Sequence, residues 1–219
     1  MKAPEYTLYW EALSGAIAPQ AMFEETGVPF RKISVDMARN EHKDPKYLQI
    51  NPTGQVPALR LPDGSVISES AAIVLLIGEL HPEGRLVPVS GDSDRASFLR
   101  WLIYMATTGY MTFIRANHPE RFTVDGAGIE SVRRAAIRDA GRCFDVLENA
   151  IEGAPYFLSS GFSALDIYLC MLTVFHPDKP DLSTRWKRID ALCDAVRKRP
   201  ACARVFDEHT GSPASKSKT

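Results

Sequence analysis

Apolar and polar positions follow two rhythms along this chain, and the rhythm changes near residue 80. Before that point, short β-branched and aromatic runs alternate with stretches of helical spacing. Tyr6-Thr7-Leu8-Tyr9-Trp10 predicts a strand. Ala18, Met22 and Phe23 recur at helical spacing, and Gly27 stands where a helix end wants a left-handed residue. Residues 30–35 alternate Ile33 and Val35 with polar neighbours and predict a second strand. Residues 43–50 predict a short helix. Two apolar runs, 56–61 and 66–67, flank Pro62-Asp63-Gly64, and an Asp-Gly pair in that setting signals a hairpin. Ala72, Ile73, Leu76 and Leu80 then form one helical stripe over residues 69–80. The predicted order is β-α-β-(α)-β-β-α, with the first two strands parallel through a crossover and the last two antiparallel.

Residues 81–92 hold two prolines and two glycines and mark the expected boundary between domains. Beyond it the spacing is helical throughout. Phe98, Leu102, Met105, Gly109 and Phe113 form one stripe, and Val132, Ala136, Ala140, Phe144, Leu147 and Ile151 another. Residues 165–175 are apolar on nearly every side, which predicts a central buried helix. Trp186, Ile189, Leu192 and Val196 mark a further helix. The expected domains are therefore residues 1–83, α/β, and 93–210, all helical. The Ser- and Lys-rich residues 211–219 are expected to be disordered.

Composition narrows the function classes. Charge is nearly balanced, with 26 basic and 27 acidic residues, which gives no electrostatic reason to expect a nucleic acid or an anionic membrane as partner. No run of 18 apolar residues is present, so no membrane span is expected, and Met1-Lys2-Ala3-Pro4-Glu5 does not read as a secretory signal. Cys143, Cys170, Cys193 and Cys202 form no CxxC pair and sit on helical patterns, as buried free thiols of a cytoplasmic protein would. No His, Cys or Asp cluster has metal-ligand spacing, and no Gly-rich phosphate loop is present.

The chemistry concentrates in Asn51-Pro52-Thr53-Gly54-Gln55-Val56-Pro57-Ala58-Leu59, then Asp63-Gly64, then Ser68-Glu69-Ser70-Ala71-Ala72-Ile73, with Phe162-Ser163-Ala164-Leu165-Asp166-Ile167-Tyr168 later. In this order and spacing the chain resembles the soluble glutathione S-transferase family, in its bacterial type, over nearly its whole length. The resemblance implies a thioredoxin-like N-terminal domain followed by an all-helical domain, with glutathione as co-substrate and no metal. It implies a cis bond before Pro57, a state that costs an X-Pro unit only about 0.5–1 kcal/mol. The peptide of Val56 would pair with the cysteinyl backbone of glutathione, a short form of strand addition. Ser70 would hold the γ-glutamyl carboxylate at a helix N-terminus, and Glu69 would balance its ammonium. Both could also serve only as helix caps. Gln55, His42 and Lys43 match positions near the glycyl end, the last two otherwise reading as solvated surface. Ser163 and Asp166 read as a capping box on the buried helix, not as catalytic groups.

Activation of the glutathione thiol is the expected reaction. A thiol of ordinary pKa, near 8.5, is only about 3% thiolate at pH 7. Bacterial members carry Cys three or four residues before an Ala-Pro pair; here that place before Ala18-Pro19 holds Gly15, with Ser14 just ahead of it. Ser14 is the first candidate for thiol partner and Tyr9 the second, with backbone groups alone as a further alternative. The resemblance places the electrophile against the first helices of the second domain, with Tyr104, Thr107, Thr108, Tyr110 and Arg115 as lining candidates. The positions that some bacterial members use to reach across a dimer hold Tyr110 and Ile103, so that contact is not carried over. The expected protein is a cytoplasmic, homodimeric glutathione transferase acting on a small hydrophobic electrophile. Dehalogenase, etherase or isomerase chemistry on the same thiolate, or a binding protein without turnover, are the alternatives.

Overall fold

The computed structural model describes residues 5–177 and 182–211. The residues expected to be disordered lie outside the described ones, apart from Gly211. The chain forms two compact units, residues 5–87 with 197–211, and residues 88–196. The chain passes from the first unit to the second after Val87. It returns after Val196, which gives the last helix to the first unit, where the sequence pattern assigns residues 93–210 to a helical domain.

The first unit is a four-stranded sheet with helices. Its elements are β1 (Tyr6–Trp10), α1 (Ile17–Thr26), β2 (Phe30–Ser34), a 3-10 turn (Glu41–Lys43), α2 (Pro45–Leu48), β3 (Ala58–Arg60), β4 (Val66–Ser68) and α3 (Ser70–Leu80). The sheet order is β2-β1-β3-β4, with β1 parallel to β2 and antiparallel to β3, and β3 antiparallel to β4. This is the predicted order; the expected short helix at 43–50 is split into the 3-10 turn and α2 because Pro45, without an N–H, suits a helix start under the Asp44 cap. Gly27 takes the left-handed conformation that ends α1, at φ 68°. Leu8, Leu59, Met22, Phe23, Ile73 and Ile77 are fully buried in the core.

The second unit holds α4 (Arg95–Tyr104), a π-helical segment (Met105–Tyr110), α5 (Met111–Asn117), α6 (Ile129–Ala150), α7 (Ala164–Val174), α8 (Leu182–Arg185) and α9 (Lys187–Arg197), whose last residue belongs to the first unit. Every residue of α7 from Ala164 to Leu172 is buried, as its apolar circumference predicts. The Ser163–Asp166 capping box is formed, and all four cysteines are buried free thiols. Phe144 anchors the core edge-on to Phe113 and Trp186, at 5.4 and 5.1 Å between ring centres. The closing helix α10 (Pro200–Thr210) lies against α1 in the first unit, through the Arg199–Glu25 pair and a Gln20 side chain that joins Glu208 to His209. Among the described residues, no helix is long and apolar enough to cross a membrane.

Candidate functional site

Strand register gathers the candidate residues of the first unit at one end of the sheet. Tyr9, Ala58 and Ser68 form a single row across β1, β3 and β4. Antiparallel pairing then sets the segments after Tyr9, before Ala58 and after Ser68 side by side. Those segments are the turn carrying Ser14, the pair Val56-Pro57, and Glu69-Ser70. Parallel β2 leaves the sheet from the same end, since Trp10 pairs with Ser34, and it leads to His42 and Lys43.

The Val56–Pro57 bond is cis. Neither the N–H nor the C=O of Val56 has a hydrogen-bond partner among the described residues. A half-buried peptide with both groups open is an edge waiting for a strand. The peptide just before it is fixed: the Gln55 carbonyl accepts from the Tyr47 hydroxyl at 2.6 Å and from the Asn51 side-chain amide at 2.8 Å. Asn51, only 2% exposed, also accepts from the Thr53 N–H and hydroxyl. Burial pushes the Tyr47 phenol up to about 12, so it stays a donor at any physiological pH. The side chain of Gln55 is left exposed. Tyr47 and Asn51 are positioning residues that the sequence pattern does not single out. Asn51 stands inside the motif, but its partner lies four residues on and only the folded loop brings them together.

Glu69 stands immediately before α3 with φ 68° and ψ 110°, a conformation that an L side chain adopts at a cost of about 1–3 kcal/mol. Its carboxylate makes no capping hydrogen bond and is exposed, which removes the pure capping reading for Glu69. Ser70 opens the helix and is 8% exposed. A strained acidic residue beside a helix N-terminus offers a carboxylate and backbone N–H groups together, the complement of an α-amino acid.

Ser14 is half-buried in the turn before α1. Its hydroxyl donates to the Glu11 carbonyl at 2.7 Å and accepts from the Ala16 N–H at 3.2 Å. The residue capping α1 is Ala16, so Ser14 does not hold the N-cap place. Tyr9 is 6% exposed and packs edge-on to Tyr47, in a cluster with Val35 and Ala58 against which Val56 also rests. The 3-10 turn with His42 and Lys43 approaches the Asn51–Val56 loop so closely that a Cβ at Gly54 would lie 3.0 Å from the His42 carbonyl oxygen. Gly54 also has φ 60°, so a side chain is disfavoured on both counts.

In the second unit, Tyr104 and Thr108 flank the start and middle of the π-helical segment and Tyr110 closes it. Tyr104 lies edge-on to Trp101 and its hydroxyl interacts with Cys143 of α6; burial, first, and that thiol push the phenol up to about 12. Tyr110 stacks edge-on to Phe175, while Thr107 and Thr108 are exposed, Thr107 donating to the Ile103 carbonyl at 2.8 Å. Arg115 is exposed and lies over the Phe122 ring. A shallow depression of about 400 Å³, lined by Trp101, Asp145, Val146, Asn149 and Ala150, includes none of these candidates.

Known proteins resemble this chain in sequence and fold. Residues 19–80 match the family described as glutathione S-transferase, N-terminal domain. The chain is 35% identical to a maleylacetoacetate isomerase of Pseudomonas aeruginosa over 178 residues, covering 80% of this chain and 82% of that one. It is 27% identical to an uncharacterized GST-like protein, YncG, of Escherichia coli, covering 88% and 92% of the two chains. Among solved structures, a glutathione transferase homolog from Sulfitobacter with bound glutathione superposes with a TM-score of 0.86 at 27% identity, covering 94% of this chain and 98% of that one.

Proposed function

This chain belongs to the glutathione S-transferase family, and from that premise we propose that it binds glutathione on its first unit and activates the thiol for attack on a small apolar electrophile. The observation that carries the reading is the open Val56 peptide, set by strand register beside Glu69-Ser70 and the Ser14 turn. The tripeptide lies along this end of the sheet. Its γ-glutamyl carboxylate meets Ser70 and the start of α3, its ammonium meets Glu69, its cysteinyl backbone pairs with Val56, and its glycyl end reaches Gln55, His42 and Lys43.

Ser14 supplies the hydrogen bond to sulfur. To do so its hydroxyl turns from the Glu11 carbonyl toward the ligand, while the Ala16 N–H continues to polarise the oxygen. Exchanging a neutral acceptor for a thiolate favours the charged form, because hydrogen bonds to charge are the stronger ones. Lowering the thiol pKa by two units requires about 2.7 kcal/mol of such preference. Tyr9, packed against Tyr47, is the poorer candidate because its ring already closes the cluster under Val56. The thiolate then attacks the electrophile and displaces a leaving group with its electron pair. Tyr104, Thr108 and Tyr110 are the proposed lining of that second substrate, and a cytoplasmic homodimer is the proposed working form.

A second reading is favoured by the 35% identity to an isomerase. The same thiolate adds to a conjugated cis double bond, the resulting single bond rotates, and expulsion of the thiolate returns the trans isomer with glutathione unchanged. One experiment separates the two. Glutathione is titrated into the protein at pH 7 while the ultraviolet thiolate band is followed, and the complex is then assayed with a halogenated nitroaromatic and with a cis-enone acid. Transferase activity consumes glutathione stoichiometrically, whereas isomerisation leaves its concentration constant. Ser14→Ala is expected to remove the band; a band lost in Tyr9→Phe instead overturns the Ser14 assignment, and no binding at millimolar glutathione overturns the whole reading.

A further inference from the structure

Glu11 touches both loops that the proposed site depends on. Its backbone carbonyl receives the Ser14 hydroxyl at 2.7 Å. Its carboxylate receives the Met37 N–H, at 3.2 Å to one oxygen and 3.3 Å to the other. Met37 belongs to a loop that is bonded tightly within itself. The Glu41 carboxylate accepts the Asp36 N–H at 2.8 Å, the Asp36 carboxylate accepts the Arg39 N–H at 2.9 Å, and the Asn40 N–H donates to the Met37 carbonyl at 3.1 Å. These bonds link residues 36–41 to one another, and the loop ends in the 3-10 turn with His42 and Lys43. Glu11 therefore ties the turn that carries the thiol partner to the loop that leads to His42 and Lys43.

The carboxylate is kept there against its own electrostatics. Burial, first, pushes its pKa up; the Met37 N–H pulls the other way, and the nearby Asp36 and Glu41 carboxylates add smaller upward pushes. Glu41 of the facing loop is thus both a neighbour that Glu11 repels and the group that shapes the loop. A glutamine would accept the same N–H without the charge. The charge adds strength, because a hydrogen bond from the Met37 N–H to a carboxylate is stronger than one to a neutral oxygen.

We infer that Glu11 is a positioning residue through which occupancy at the glycyl end of glutathione sets the Ser14 hydroxyl for the thiol. The inference rests on the functional reading above and adds to it a coupling between two ends of one ligand. Coupling of this kind is reciprocal and measurable as a free-energy difference between ligands with and without the distal group.

The test compares glutathione with γ-glutamylcysteine, which lacks the glycyl residue. The pKa of the bound thiol is read from the ultraviolet thiolate band, each corrected for its free peptide. In the wild-type protein the glycyl residue is expected to lower the bound-thiol pKa by about one unit, a tenfold gain in thiolate. In Glu11→Ala that difference collapses to below about threefold, and in Glu11→Gln, which keeps an acceptor oxygen, it is intermediate. A merely structural role weakens both ligands alike and leaves the difference intact, which overturns the inference. Should Glu11→Ala not fold, Glu11→Gln decides alone: an intermediate value supports the coupling and an unchanged one refutes it. A wild-type protein with a thiolate band but no glycyl effect refutes this inference only; one with no thiolate band refutes the functional reading as well.

Discussion

Replacing Asp166 by Asn tests the energetics of the second unit at one atom pair. The Asp166 side chain is fully buried; one oxygen accepts the Phe157 N–H at 2.7 Å, and the other accepts the Ser163 N–H at 2.7 Å and the Ser163 hydroxyl at 3.2 Å. Burial outweighs these donors and pushes the carboxyl from 3.8 up to about 6. The folded protein therefore binds this proton more tightly than the unfolded chain, and it gains stability as pH falls from about 6 toward 4. The full shift is worth about 3 kcal/mol, of which about 2 kcal/mol is realised by pH 4.5. Asparagine presents an NH₂ where one oxygen stood, so one buried N–H faces a donor, at a cost of about 1–3 kcal/mol, and it does not titrate. The destabilisation caused by Asp166→Asn should thus be about 2 kcal/mol larger at pH 4.5 than at pH 7.5. Urea unfolding of both proteins at the two pH values, followed by the fluorescence of Trp101 and Trp186 in this unit, measures it. A difference that is equal at both pH values, or larger at pH 7.5, means that the three donors prevail over burial, and the reasoning fails.

Three further outcomes are expected. His209, 1% exposed, is pushed down to about 4 by burial, with Glu208 opposing and Lys32 adding to the effect; the unfolded chain takes up this proton first, so stability present above pH 6.5 is lost as pH falls toward 4, by up to about 3 kcal/mol, and His209→Gln should flatten that slope in thermal melts. At Gly78 a Cβ would lie 2.2 Å from Val87 Cγ2 and 2.6 Å from Val87 Cβ; Gly78→Ala should cost at least about 1–3 kcal/mol, and Val87→Ala in the same chain, which removes the nearer atom and keeps the Cβ, should restore only part of it, while additive losses in the double-mutant cycle would show that the clash is relieved elsewhere. Glu69→Gly should raise the melting temperature or leave it unchanged, because glycine accepts the positive φ, and should weaken glutathione binding by about tenfold or more in calorimetry; unchanged binding would remove Glu69 from the site.

Much of the fold is legible because periodicity and punctuation agree in this chain. Asp63-Gly64 does form the turn between β3 and β4, and Gly27 does cap α1. The buried face of α7 is readable because no polar residue interrupts it except Asp166, whose place in a capping box is itself visible. The motif residues Val56, Pro57, Glu69 and Ser70 stand at one end of the sheet because Tyr9, Ala58 and Ser68 share a row, and that row is a property of register, which no local pattern states. Glu11 and Tyr47 escape notice for the same reason: each acts through a partner contributed by another loop. The left-handed backbone at Glu69 is equally hidden, since nothing in a Ser-Glu-Ser sequence announces a positive φ.

The last helix of the first unit also has a temporal meaning. Arg199, Glu208 and His209 complete the surface of α1 by pairing with Glu25 and Gln20, yet they leave the ribosome only after the whole of residues 88–196. Until then the Glu25 carboxylate and the Gln20 amide, both enclosed in the finished protein, lack these partners. The sheet that would hold glutathione is thus made before the second unit and completed after it. Vectorial synthesis offers the second unit the chance to close first, and a chain interrupted after Val196 should emerge with an intact helical unit and an unsealed one.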